Sequence, residues 1–171
     1  MMKVFFIVIV SVLGGACNNK GKQVNIRANE NDSTDKLAVY TSENGEMNFA
    51  IDQARKSFPD FLVVLQDKCE DCERFNVKIR LGFGDNDGEH VWLDSLFLKN
   101  SKLYGVLASV PEKVTRVNFG DILEANKDSL SDWMYIQKGK LAGGFTIKVI
   151  YDQLPVLEKK QMEEEFGAMI R

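Results

Sequence analysis

The sequence predicts an α+β fold, with N-terminal helices packed on a curved, mostly antiparallel sheet of about six strands and a short C-terminal helix. Three observations predict it. Apolar residues recur at helical spacing from Met47 to Phe58. Alternation with period two then takes over, clearest from Phe75 to Phe83. The later strand-like stretches are joined by short turn sequences rather than by helical crossovers, which favours antiparallel pairing.

Met47, Ala50, Ile51, Ala54 and Phe58 are spaced for one face of a helix. Ser57-Phe58-Pro59-Asp60 reads as a second start, with Ser57 as a cap and Pro59 in the first turn. Two short helices separated by a kink are therefore expected, about Gly45 to Ser57 and about Pro59 to Asp67. Phe61, Leu62, Val64 and Leu65 are core candidates of the second.

Phe75, Val77, Ile79, Leu81 and Phe83 alternate with Asn76, Lys78, Arg80 and Gly82, as a strand with one buried face does. Asp85-Asn86-Asp87-Gly88 turns the chain, and Glu89 to Leu98 returns as the partner strand. Lys102 to Ser109 supplies a third strand. After Pro111, Val114 to Asn118, a Gly120-Asp121 turn and Ile122 to Ala125 read as another short pair. Asp128 to Asp132 reads as a turn or a single helical turn. A last hairpin is expected from Trp133 to Gln137, through Lys138-Gly139-Lys140, and back along Phe145, Ile147, Val149 and Tyr151. Leu157 to Ile170 reads as the C-terminal helix, opened by Pro155.

Length and composition bound the rest. The chain has 171 residues, 44% hydrophobic and 27% charged, enough for a single domain with its own core. Its 22 Lys and Arg against 25 Asp and Glu leave a net charge of -3, with no basic excess to neutralise a phosphate backbone, so nucleic acid is excluded as a partner.

The N-terminus carries the parts of an export leader: Lys3, the apolar run Val4 to Leu13, and Gly14-Gly15-Ala16 before Cys17. The run is well short of the roughly 20 apolar residues that span a bilayer. A cysteine directly after small residues resembles the bacterial lipobox, with Leu13 four residues before it rather than three. The resemblance implies cleavage before Cys17 and acylation of its thiol. The expected organisation is a lipoprotein signal peptide over residues 1–16, a lipidated cysteine and disordered tether over 17–44, and one globular domain over 45–171. The polar composition from Asn18 to Asn44 fits a tether. Acyl chains add about 0.8 kcal/mol per buried methylene, so the expected partner is a membrane, held from the cell-envelope side.

Ala54-Arg55, Ser57-Phe58-Pro59, Glu73-Arg74-Phe75 with Val77-Lys78, Glu89-His90-Val91-Trp92-Leu93, Tyr104-Gly105 with Pro111, Phe119-Gly120-Asp121, Ser131-Asp132-Trp133-Met134-Tyr135 and Gly143-Gly144 occur in an order and spacing that resemble the YegJ-like family, domain of unknown function 2314. The resemblance runs from Met47 to about Gln153 and implies a compact domain. It implies no activity, ligand or partner, and Cys69 and Cys72 lie outside the family pattern.

Few residues invite chemistry. Cys69-Glu70-Asp71-Cys72 can form a disulfide outside the cytoplasm, contribute to a metal site or act in thiol redox. The acidic neighbours Glu70, Asp71 and Glu73 disfavour a thiolate, and a metal would need two further ligands, so a structural disulfide or inert thiols is the leading reading. His90 is the only histidine, with Trp92 and Asp94 on the same strand face by period two. Asp132 precedes Trp133 and Tyr135, which also share a face. His90, Trp92, Asp94, Asp132, Trp133 and Tyr135 form the candidate binding face, each with a structural alternative as a packed or hydrogen-bonded residue. Carboxylate hydrolysis would need Asp94 and Asp132 to meet. No nucleophile elbow and no phosphate-cradling glycine pattern occurs. The expectation is a non-catalytic binding or interaction module for an envelope protein or small ligand, without cofactor. A hydrolytic or thiol-redox enzyme and a structural envelope-assembly protein are the alternatives.

Overall fold

A computed structural model describes residues 45–67, 69–83 and 87–171; the leader, Cys17 and the tether lie outside the described residues. Helix α1, Gly45–Gln66, buries Met47, Ala50, Ala54, Phe58 and Phe61. It runs unbroken through Pro59, where two helices were expected. Ser57 does not cap a new helix: its hydroxyl donates to the carbonyls of Gln53 and Ala54, one turn back. Pro59 itself is exposed. The proline removes one helical hydrogen bond at a cost of about 3 kcal/mol, and full burial of the neighbouring phenylalanines, at about 1.5–3 kcal/mol each, offsets it.

Six strands form one sheet in the order β4-β3-β2-β1-β5-β6. They are β1 Cys72–Phe83, β2 Asp87–Lys99, β3 Lys102–Leu107, β4 Ile122–Ala125, β5 Leu130–Gln137 and β6 Lys140–Gly143, all paired antiparallel. The fold is α+β with an open antiparallel sheet. The alternation in β1 sets the register: Val77 opposes Leu93 on one side and Trp133 on the other, while Lys78 opposes Trp92 and Asp132. From Phe75 onward, odd positions of β1 therefore face α1 and even positions face away from it; the register shift between Glu73 and Asn76 reverses the phase before that.

The α1 side is the main core, built on Ala54, Phe58, Phe61, Val77, Ile79, Val91, Leu93, Leu107, Leu130 and Trp133. Phe61 is wholly buried and packs its ring 5.2 Å from that of Trp133. A second, smaller core lies on the opposite side, where Trp92, Met134, Ile136 and Leu141 meet Ile147, Tyr151, Ala168 and Ile170.

Two expected strands are absent, each for an identifiable reason. Val114 to Asn118 is irregular, because the backbone amides of Glu112, Lys113 and Val114 turn inward to the carboxylate of Glu89 at 2.8, 3.0 and 3.2 Å instead of joining a ladder. The return strand after Lys138-Gly139-Lys140 ends at Gly143, and Phe145–Gln153 is helix α2. Gly143 and Gly144 both have left-handed backbones, φ 67° and 61°, which stop the strand.

The C-terminal helix α3 is Val156–Phe166, ended by Gly167 in the left-handed region. The chain then returns to the sheet. Met169 bridges Lys140 in parallel and Ile170 is completely buried. No helix among the described residues is long and apolar enough to cross a membrane.

Candidate functional site

The side of the sheet facing away from α1 holds an unusual polar group, Asp132, which has no exposed surface. Its position follows from β5 pairing with β1, where Asp132 stands opposite Lys78. Its two oxygens receive four hydrogen bonds. Oδ1 accepts from the amides of Trp133 and Phe145 at 2.8 and 3.0 Å, and Oδ2 from the amide and hydroxyl of Thr146 at 2.8 and 2.6 Å. Gly144, at the N-cap position of α2, has no side chain to cap it. Asp132 therefore does from a neighbouring strand what a capping residue does locally, and places a carboxylate at the positive end of the helix. Burial pushes this carboxyl above its ordinary value, against the pull of the Thr146 hydrogen bonds and Lys78. All four contacts are donated to the oxygens, so the ionised form is the one the arrangement fits.

The glycine pair makes that geometry possible. A side chain on Gly143 would collide with the carbonyl and ring of Trp133, and one on Gly144 with Leu141. The amide of Gly144 bonds the Trp133 carbonyl at 2.8 Å, so the chain passes from β6 to α2 in close contact with β5.

Lys78 lies beside Asp132, with its ammonium 5.6 Å from the centre of the Trp92 ring, a cation–π arrangement. Burial lowers its pKa, and Asp132 opposes that shift. His90, opposite Arg80, places Nδ1 2.7 Å from the hydroxyl of Ser131. Ser131 is the extra residue of a register shift between the Lys78–Asp132 and Ile79–Leu130 pairs. Burial and then Lys78, Arg80 and Arg55 depress the His90 pKa to about 4, so the ring is neutral at neutral pH. Arg55 reaches from α1 to the carbonyls of Leu130 and Asp128 at 2.8 and 3.1 Å, fixing the entry to β5.

The six candidate residues do not share one face. His90, Trp92, Asp94 and Asp132 lie on the Lys78 side, whereas Trp133 and Tyr135 lie under α1, 7% and 9% exposed. The indole of Trp133 donates to the Ala54 carbonyl at 3.0 Å. Asp94 pairs with Val106 toward β3, and β1 separates its strand from that of Asp132, so the two carboxylates do not meet. Lys78, Ser131, Thr146 and the Gly143-Gly144 pair belong to the cluster but went unremarked as chemistry. Their only advance sign was a run of two glycines before a segment of ambiguous periodicity.

Cys69 and Cys72 are joined as a disulfide between α1 and β1. Two of the acidic neighbours have cationic partners: Asp71 pairs with Lys138 at 3.2 Å and Glu73 with Arg74 at 3.8 Å. Among the described residues, no group of three or more His, Cys, Asp or Glu side chains is arranged to hold a metal ion.

Comparison with known proteins gives two similar chains. The first is the uncharacterized protein YegJ of Escherichia coli (strain K12), 32% identical over 137 residues, covering 80% of this chain and 85% of YegJ. The second is a putative ankyrin repeat protein of Neisseria meningitidis serogroup B, 29% identical over 141 residues, covering 78% of this chain and 56% of that protein. No solved structure matches. Residues 44–169 match DUF2314, described as an uncharacterized protein conserved in bacteria, a span that takes in α1, all six strands, α2 and α3; the chain belongs to the DUF2314 family.

Proposed function

We propose that the chain is a lipid-anchored, non-catalytic binding domain of the bacterial cell envelope, with its ligand face on the side of the sheet that carries Lys78 and His90. The leader and Cys17 support the anchor. The binding role rests on one observation: the carboxylate and helix amides that could act as a catalytic base or an oxyanion hole are already bonded to each other. Asp132 fills the N-terminus of α2, and His90 is a neutral ring tied to a serine that is only 1% exposed. Catalysis by Ser131 and His90 would require a stronger base and a free oxyanion site. Lys78, by contrast, makes no hydrogen bond to a described residue and retains its capacity to donate.

Two measurements test the reading. Labelled palmitate should enter the wild type and not Cys17→Ser, which should leave the membrane fraction; acylation of the serine variant would refute the anchor. A thermal-shift screen of small anions, saccharides and peptides should find a class that stabilises the wild type and not Lys78→Met. Hydrolytic or disulfide-reductase turnover by the purified protein would instead establish the enzyme reading. A chain that no ligand class stabilises would support a purely structural role in the envelope.

A further inference from the structure

We propose that the end of the domain where the chain enters α1 is a membrane-contacting surface, on which Phe49, Val156 and Leu157 dip into the headgroup boundary of a lipid bilayer. The inference rests on the lipid-anchor reading and gives the anchored domain an orientation. Helix α3 opens on Pro155-Val156-Leu157, and this turn buries neither apolar side chain: Val156 is 85% exposed and Leu157 69%. Phe49, in the second turn of α1, is 65% exposed. One hydrogen bond brings these distant stretches together. Gln153 Nε2 donates to Glu46 Oε2 at 3.4 Å, linking the last residue of α2 to the first turn of α1. Phe49 follows Glu46 by three residues, so the two are neighbours on one flank of α1. Val156 follows Gln153 by three and lies within about 11 Å of it even on an extended chain. Three large apolar side chains thus gather at one end of the domain, where a single exposed one would need no explanation.

What covers them follows from where the chain comes in. Residues 17–44 join the domain at Gly45, next to Glu46, so a lipid on Cys17 draws this end toward the bilayer. Even fully extended, that stretch reaches at most about 100 Å. A surface held at such range meets the domain at an effective concentration on the order of millimolar, enough for a weak contact to be occupied.

Charge is graded along α3 in the matching sense. Lys159, its ammonium 5.2 Å from the centre of the Tyr151 ring, and the exposed Lys160 stand one turn beyond Val156. Lysines so placed can lay their stems along apolar surface and keep their ammonium groups at headgroup level. Glu163, Glu164 and Glu165 lie roughly 9–12 Å from Leu157 along the helix, away from the contact. Of the acidic groups nearest this end, Glu46 accepts from Gln153, Asp152 pairs with Arg171, and Glu158 is half-buried.

The test places an environment-sensitive fluorophore on Leu157→Cys or, as control, on Val63→Cys, exposed toward the other end of α1. Each full chain is purified from membranes under non-reducing conditions, which keep Cys69 and Cys72 joined, and reconstituted into vesicles of phosphatidylethanolamine, phosphatidylglycerol and nitroxide-labelled lipid. The nitroxide should quench the label at position 157 and not the one at 63. Adding Phe49→Ser and Val156→Ser, both at exposed positions, should leave the melting curve unchanged and lower the ratio of inserted to aqueous label at least about tenfold, as withdrawal of one apolar side chain from lipid already predicts. A label at 157 as aqueous as that at 63 overturns the proposal, and the anchor stands if mass spectrometry finds Cys17 acylated. If Cys17 is not acylated, the anchor reading fails; the Cys17→Ser chain, held to nickel-chelating lipid by an N-terminal hexahistidine tag, then decides the contact by the same comparison. Shielding at 157 that rises with protein density and is indifferent to the nitroxide identifies a second copy of the chain as the occupant and likewise overturns the lipid contact.

Discussion

Replacing Asp132 by asparagine tests the capping role of the buried carboxylate at nearly constant volume. The new NH2 group takes the place of one oxygen. If it replaces Oδ1, the amides of Trp133 and Phe145 face a donor; if it replaces Oδ2, the amide of Thr146 does, while the Thr146 hydroxyl can turn to accept from the new group. The second orientation is therefore preferred, and the one buried donor it leaves without a partner costs about 1–3 kcal/mol. Losing the negative charge at the start of α2 adds up to about 1 kcal/mol. Release from burying a charge, the effect that pushes the Asp132 pKa upward, acts in the opposite direction. The net expectation is a loss of roughly 2 kcal/mol, a sizeable fraction of the about 5–15 kcal/mol by which domains of this size are stable. Urea unfolding followed by tryptophan fluorescence reads it directly, since Trp92 and Trp133 are both buried. The midpoint should fall with the slope unchanged. A loss below about 1 kcal/mol would refute the argument and show that the amides at α2 do not depend on the carboxylate.

His90 makes stability depend on acid. Its folded pKa of about 4 lies below the ordinary 6.5, so the stability it secures is complete above pH 6.5 and declines as pH falls toward 4. Up to about 3 kcal/mol is at stake, and the difference between wild type and His90→Gln across this window should isolate it from other carboxylates. Equal pH slopes for the two proteins would show that the ring is not buried neutral. Two glycine substitutions should diverge: Gly143→Ala meets both a left-handed backbone and the Trp133 ring, and should abolish a cooperative transition, whereas Gly139→Ala, with open space around it, should cost only about 1–2 kcal/mol in thermal unfolding. Replacing both Cys69 and Cys72 by serine opens a loop with a sequence separation of 3. Chain entropy for so small a loop predicts a loss of about 2 kcal/mol at most, and a fall well beyond that in a denaturant midpoint would assign the pair another role.

The sheet was legible where one face of a strand is buried and the other is not, because that contrast repeats with period two. β1 is the clear case. The segment after Gly144 was not legible, since Phe145, Ile147, Val149 and Tyr151 alternate and include β-branched residues, yet the chain forms a helix there. What decides it is the glycine pair and a carboxylate 14 positions upstream of Thr146, both outside the window that periodicity reads. The segment at Val114 failed similarly, its amides drawn to Glu89 on another strand. At the candidate site, His90 stood out as a polar residue within a strand; Asp132 reads from the sequence as the end of a turn before Trp133, whereas β5 begins at Leu130 and takes it in. Lys78 did not, because a lysine at an alternate position reads as a solvent-facing residue, and Ser131 reaches His90 only through a shift in strand register.

The return of residues 168–170 to the sheet affects when the fold can be completed. Ile170 is completely buried, and the amide of Leu141 bonds the carbonyl of Met169 at 2.8 Å, so the edge of β6 is covered by a segment that follows α3. A polypeptide that emerges N-terminus first, from a ribosome or through a translocation channel, still holds this segment in the conduit after all six strands have left it. Every strand can be outside while the outer edge of the sheet and the second core lack their closing piece. Full protection of β6 thus waits on the emergence of residues 168–170, and an insertion directly after Ile170 would begin beside a fully buried side chain.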